Sequence, residues 1–87
     1  MPKVSGFYGI KIYFNVRGEH PPPHFHAVYA GHKALIQINP PGVFAGSLPK
    51  KALAMVIEWT VDHRDDLIHN WEEAKAGRLP KPVSPLE

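Results

Sequence analysis

Apolar and polar residues alternate along the first half of the chain and recur every three to four positions along the second. In "FYGIKIYFN" (7–15), Tyr8, Ile10, Ile12 and Phe14 fall on one side and Lys11 and Tyr13 on the other, the period-two pattern of a half-buried strand. "HFHAVYA" (24–30) repeats it, with Phe25, Ala27 and Tyr29 opposite His24, His26 and Val28. A two-residue link, Gly31-His32, leads into "KALIQIN" (33–39), where Ala34, Ile36 and Ile38 oppose Leu35 and Gln37. Glycine first in such a link predicts a type II′ turn and a hairpin. "NPPG" (39–42) marks another turn before a short strand at 43–45.

The period then changes. Ser47 is the expected N-cap, with Pro49 in the first turn that follows. Ala52, Met55, Val56, Trp59, Leu67, Trp71 and Ala74 recur at helical spacing, Leu53, Ile57 and Ile68 widen the stripe, and Gly77 is a natural stop. An unbroken helix over 49–76 would run roughly 42 Å at 1.5 Å per residue. A domain of this size is only about 30 Å across. Either the helix breaks near Asp62 to Asp65, or its distal end, with Leu67, Ile68 and Trp71, packs on a second copy of the chain as a homodimer. The expectation is an α+β fold over a single domain, residues 1–87. A three- or four-stranded antiparallel sheet within 7–45 is followed by a long C-terminal helix or helix pair (about 48–76) and an extended tail (78–87).

Composition narrows the class. The chain is 44% apolar with nine aromatic residues, enough to form a core, and its ten prolines fall between the predicted elements. It has no cysteine, which excludes disulfides and thiolate metal sites and fits a reducing compartment. The longest apolar runs are too short to span a membrane, and the start of the chain lacks a signal-peptide core, so a cytoplasmic protein with no membrane partner is expected. The net charge is only +2, but it is unevenly spread. Residues 1–34 carry Lys3, Lys11, Arg17 and Lys33 against Glu19, whereas residues 58–73 hold six carboxylates against Arg64.

The candidate chemistry lies in "HPPPHFHAVYAGH" (20–32), which holds four of the six histidines. Strand alternation points His24 and His26 to one face and Phe25 to the core. The outer face then collects Lys11, Tyr13, His24, His26, Lys33 and Gln37, with His20 held near the strand entrance by a stiff, extended proline segment. Three readings are open on these residues. An H-x-H pair can give zinc two ligands, with His20, Glu19 or a partner residue as the third, although no acidic second-shell residue is evident nearby. Two imidazoles beside a lysine and a tyrosine are the parts of metal-free RNA cleavage: one removes the 2′-hydroxyl proton, the other protonates the leaving oxygen, and the lysine stabilises the phosphorane. The plainest reading has the imidazoles satisfy backbone groups at the strand entry and rim an interface. His63 and His69 sit among carboxylates and are expected to pair with them. Trp59 and Trp71 are expected to be packing anchors, with Trp71 the one that would meet a partner if either is exposed.

"FYGIKIYF", "HPPPHFHAVY", "GSLPKKALAMVIEW", "HRDDL" and "NWEEAKAG" together resemble the small bacterial proteins of domain-of-unknown-function family 4160, over nearly the whole chain. The H-x-P-P-H-F-H element, His20 to His26 here, is the most specific part. The resemblance implies a small α+β protein, the toxin of a toxin–antitoxin pair whose cognate antitoxin-like partner belongs to unknown-function family 2442, with action on RNA or translation. It brings over His20, Pro22, Pro23, His24, Phe25 and His26 as motif positions. The leading expectation is therefore a toxin, and a candidate metal-independent ribonuclease. Its catalytic residues would be His24, His26 and His20, with Lys11 and Tyr13 in support; Lys33, Gln37 and Trp71 would be binding residues, and neither metal nor cofactor is assigned. The alternatives are a non-catalytic module that binds a partner or nucleic acid, and a histidine-based metal-binding protein.

Overall fold

The computed structural model describes residues 1–16 and 18–87; Arg17, one of the basic residues counted above, lies outside them. Five strands form one antiparallel sheet in chain order: β1 (Lys3–Phe7), β2 (Ile10–Tyr13), β3 (His24–Tyr29), β4 (His32–Gln37) and β5 (Gly42–Gly46). Two helices follow, α1 (Lys50–Asp62) and α2 (Arg64–Lys75). The α+β class and element order are as expected, but the sheet has five strands rather than three or four.

The additional strand is β1. The stretch 7–15 is not one strand: Phe7 closes β1, and Tyr8 and Gly9 make the turn into β2, with φ of 49° and 81°. Two consecutive positive φ values are the mark of a type I′ turn, which twists as the flanking strands do. Ala30 and Gly31, with φ of 47° and 83°, repeat the device between β3 and β4. The expected hairpin is present, but its turn residues are Ala30-Gly31, and His32 pairs with Tyr29 inside the ladder.

The sheet's apolar face carries Ile10, Ile12, Phe14, Phe25, Ala27 and Ile36, all buried. Trp59 of α1 meets this face, its ring edge-on to Phe25 at 5.7 Å and tilted against Phe7 at 5.2 Å. The helix starts later than the Ser47 cap would place it. Pro49 occupies the N-cap with no side-chain cap, and Ser47 instead donates its N–H to the Lys33 carbonyl at 3.2 Å, extending the β4–β5 pairing.

The long helix breaks at His63 (φ −119°, ψ 24°). Its N–H donates to the Trp59 carbonyl and its own carbonyl accepts from Leu67, each at 3.0 Å, so one residue ends α1 and opens α2. Asp65 and Asp66 then lie in the first turn of α2, where the helix dipole favours negative charge. The break keeps the longest dimension to 33 Å. It also folds Leu67 and Trp71 into this chain's own core, so the apolar face expected to need a second copy is covered.

Gly77 stops α2 in a Schellman arrangement, Arg78 N–H donating to the Glu73 carbonyl at 2.9 Å and Gly77 N–H to Ala74 at 3.0 Å. The tail lies along the domain. Asn70 donates to and accepts from the Lys81 backbone at 2.8 and 2.9 Å, and the Trp59 indole donates to the Ser84 carbonyl at 2.8 Å. Val83 N–H donates to the Val4 carbonyl at 2.8 Å, placing the tail beside β1. No helix among the described residues is long and apolar enough to cross a membrane.

Candidate functional site

β3 places Phe25 in the core and turns His24 and His26 the other way, as the alternation requires. The antiparallel register sets Tyr13 and Leu35 on either side of His26, with Lys11 and Lys33 flanking Val28. His24 pairs with Gln37. Both lysines are exposed, and Tyr13 and Gln37 are half-buried.

The two imidazoles are not equivalent, which corrects the expectation of an outward-facing pair. His26 keeps 13% of its side chain exposed, but His24 keeps only 3%. The first residue of the strand is covered by side chains from distant elements. Trp71 of α2 lies 5.1 Å from the His24 ring and Phe44 of β5 lies 5.4 Å from it, with the His26 ring at 5.9 Å. Trp71 is thus buried at 4% exposure and is no partner contact: the break at His63 turns it onto this strand entry. Phe44, half-exposed, is a site neighbour that alternation alone did not single out.

His20 is exposed and stands outside the cluster. The residue that joins the imidazoles is Glu19, its predecessor. The chain bends at Pro21 and Pro22, where it was expected to be extended. Glu19 Oε1 lies 2.6 Å from His26 Nε2, and Oε2 lies 3.3 Å from His24 Nε2. The Asn15 amide donates to Oε1 at 2.7 Å. Burial pushes the Glu19 pKa up, but the hydrogen bond from His26, the charges that His24 and His26 can carry, and the Asn15 amide together outweigh it and hold the carboxyl below its ordinary 4.5.

Hydrogen bonding places one proton of His24. Its Nδ1 lies 2.8 Å from the Pro22 carbonyl, and because a carbonyl only accepts, Nδ1 carries the proton. Its Nε2 is buried and has no hydrogen-bond partner among the described residues; the nearby Glu19 Oε2 is not aligned for one. Glu19, His24 and His26 each present one ligand atom within 4.8 Å of the others. His63 and His69 pair with acids as expected, at 3.9 Å to Asp66 and 3.6 Å to Glu73.

A family model for a domain of unknown function, DUF4160, matches residues 9–72. The chain belongs to that family. The segment matched to DUF4160 runs from the first turn into α2, so it takes in Glu19, His24 and His26 as well as both rings that cover His24, Phe44 and Trp71. β1 and the tail lie outside it. No curated protein and no solved structure shows a significant match.

Proposed function

We propose that this DUF4160 protein is the toxin of a bacterial toxin–antitoxin pair, that it works in the cytoplasm, and that its Glu19–His24–His26 cluster cleaves RNA. The observation that carries this reading is the reachable His26 imidazole, held by a carboxylate in a row that continues into lysine-bearing rows. Lys3 pairs with Tyr13, Tyr13 with His26, and Lys11 and Lys33 flank Val28 one row on; all three lysines are exposed. Lysines so placed would take the phosphate backbone of a polyanion. The carboxylates of residues 58–73 are carried by the helices, so acidic and basic charge are divided between helices and sheet.

The chemistry differs from that of two equal imidazoles. His26, oriented through Nε2 by Glu19, leaves Nδ1 as a base. His24 is sealed under Trp71 and Phe44 and cannot reach a polymer as general acid. Glu19 is held ionised, so the proton for the leaving oxygen has to come from outside the cluster, with Tyr13, the cross-strand neighbour of His26, as the candidate donor.

Induced expression tests the reading. It should arrest growth, co-expression of a cognate partner should relieve the arrest, and His26→Ala should abolish arrest and RNA cleavage while leaving partner binding intact. Harmless expression of the wild type, or arrest unchanged by His26→Ala, would remove the catalytic reading and leave a module that acts by binding.

A further inference from the structure

We propose that Glu19, His24 and His26 bind one divalent first-row transition ion, with Zn²⁺ the ion their donor set fits best. This replaces the expectation of a cofactor-free site. As the cofactor of RNA cleavage the ion rests on the reading above; as a metal site it stands without it.

The strongest observation is the orientation of His24. With its Nδ1 proton committed to the Pro22 carbonyl, a neutral ring presents a lone pair at Nε2, and that atom is buried, unpartnered among the described residues and 3.3 Å from a carboxylate oxygen. A lone pair and an anion set against each other repel. A cation between them turns both into ligands. A ligating histidine usually donates its other ring N–H to a carbonyl or carboxylate, which sets its tautomer and aim, and Pro22 does this here.

The remaining donors agree. His26 offers Nε2, 2.6 Å from the other Glu19 oxygen; when an ion takes that position the neutral ring carries its proton on Nδ1 instead, so His26 is then a ligand and no longer the base. Two ligands on one ion, with bonds of about 2.0–2.2 Å at tetrahedral or octahedral angles, stand roughly 3.0–3.6 Å apart. The three atoms already lie within 4.8 Å of one another, so side-chain adjustment closes the site. Two imidazoles and one carboxylate are a donor set of catalytic zinc and of non-haem iron centres, which leave positions open for water or substrate. No thiolate competes, since the chain has no cysteine. Trp71 and Phe44 wall the His24 side, and the partly exposed Glu19 and His26 leave an approach from the other.

The test uses the full chain without an affinity tag, stripped with a chelator, exchanged into clean buffer and titrated with Zn²⁺ alone by calorimetry and by competition with a chromophoric chelator. One equivalent should bind with a dissociation constant of about 1 µM or tighter. Glu19→Gln, His24→Phe and His26→Gln should each weaken binding by more than the roughly 10- to 100-fold that an outer-shell partner costs. His20→Ala, His32→Ala and His69→Ala should leave it unchanged. Circular dichroism checks each variant's fold, and the more exposed Glu19→Gln decides the matter should His24→Phe not fold. A folded wild type with no site tighter than about 100 µM overturns the proposal. So does a stoichiometric site that survives Glu19→Gln and His26→Gln. RNA cleavage measured on the same samples separates the two claims. Zn²⁺ binding without cleavage upholds the site and removes the ribonuclease, whereas full cleavage by stripped protein upholds the ribonuclease and removes the ion from its mechanism.

Discussion

Replacing His24 by phenylalanine should stabilise the metal-free protein while abolishing the site. The substitution loses one neutral hydrogen bond, Nδ1–H to the Pro22 carbonyl, worth about 0.5–1.5 kcal/mol. It removes a buried nitrogen with no partner among the described residues, whose burial costs about 1–3 kcal/mol. A phenyl ring also keeps the aromatic packing on Trp71 and Phe44, and Phe44, 46% exposed, has room to shift outward for the larger ring. The balance favours the variant by about 1 kcal/mol, a rise in Tm of roughly 4–8 °C for a domain of this size. The competing account makes His24 a buried imidazolium paired with Glu19. Removing one partner of such a pair costs about 3–5 kcal/mol, so the two accounts differ in sign. Urea unfolding in the presence of chelator, followed by tryptophan fluorescence, measures the difference. A variant destabilised by more than about 2 kcal/mol with an unchanged m-value would refute the assignment of His24 as a neutral ring held ready for a ligand.

Three further outcomes follow from the packing and charges. Trp71→Ala should destabilise by about 3–5 kcal/mol, much of the roughly 4–13 kcal/mol available to a chain of this length, and expose His24; an unfolding curve within about 1 kcal/mol of wild type would mean that the ring is not a core anchor. Asn70→Leu removes both bonds to the Lys81 backbone, about 1–3 kcal/mol in total, and should speed hydrogen exchange at the Val83 amide, whereas unchanged exchange would show that the tail is held elsewhere. Because the Glu19 pKa is depressed in the folded state, its ionised form adds stability above the ordinary value of 4.5, and that contribution is lost as pH falls through the lower folded value. Glu19→Gln should therefore lie below wild type at neutral pH and converge on it in acid, and a constant offset from pH 7 to pH 3 would contradict the assignment.

The fold was legible where one periodicity held without interruption. β3 and β4 alternate cleanly, and Phe25, Ala27, Ala34 and Ile36 are buried as the pattern requires. β1 escaped because its period is disturbed: the register shifts between Lys3 and Ser5, and Val4 and Ser5 are buried side by side. The Tyr8-Gly9 turn adds to this, since Tyr8 fits the apolar alternation of 7–15 yet is the exposed tip of a hairpin. The helix break was legible from length alone, because an unbroken helix would outrun the domain. Its position, expected near Asp62 to Asp65, is His63, but the means was not legible: His63 ends one helix and begins the next through backbone bonds, with no side-chain cap from the aspartates.

The site divides along the same line between local and distant structure. All three donors and the carbonyl that orients His24 lie within residues 19–26, so the chemistry is written in one short stretch. What makes the imidazoles unequal comes from far away, from Phe44 on the edge strand and Trp71 on the second helix, and no alternation rule could find it. That inequality assigns the roles. His24, fixed by Pro22 and covered on both sides, sets where an ion sits, whereas His26 and Glu19, exposed at 13% and 21%, have the freedom to exchange a hydrogen bond for a ligand bond. Substitutions in the helices should therefore reach the chemistry mainly through Trp71. Substitutions among Lys11, Tyr13 and Lys33 should alter what binds the open face without moving the donors.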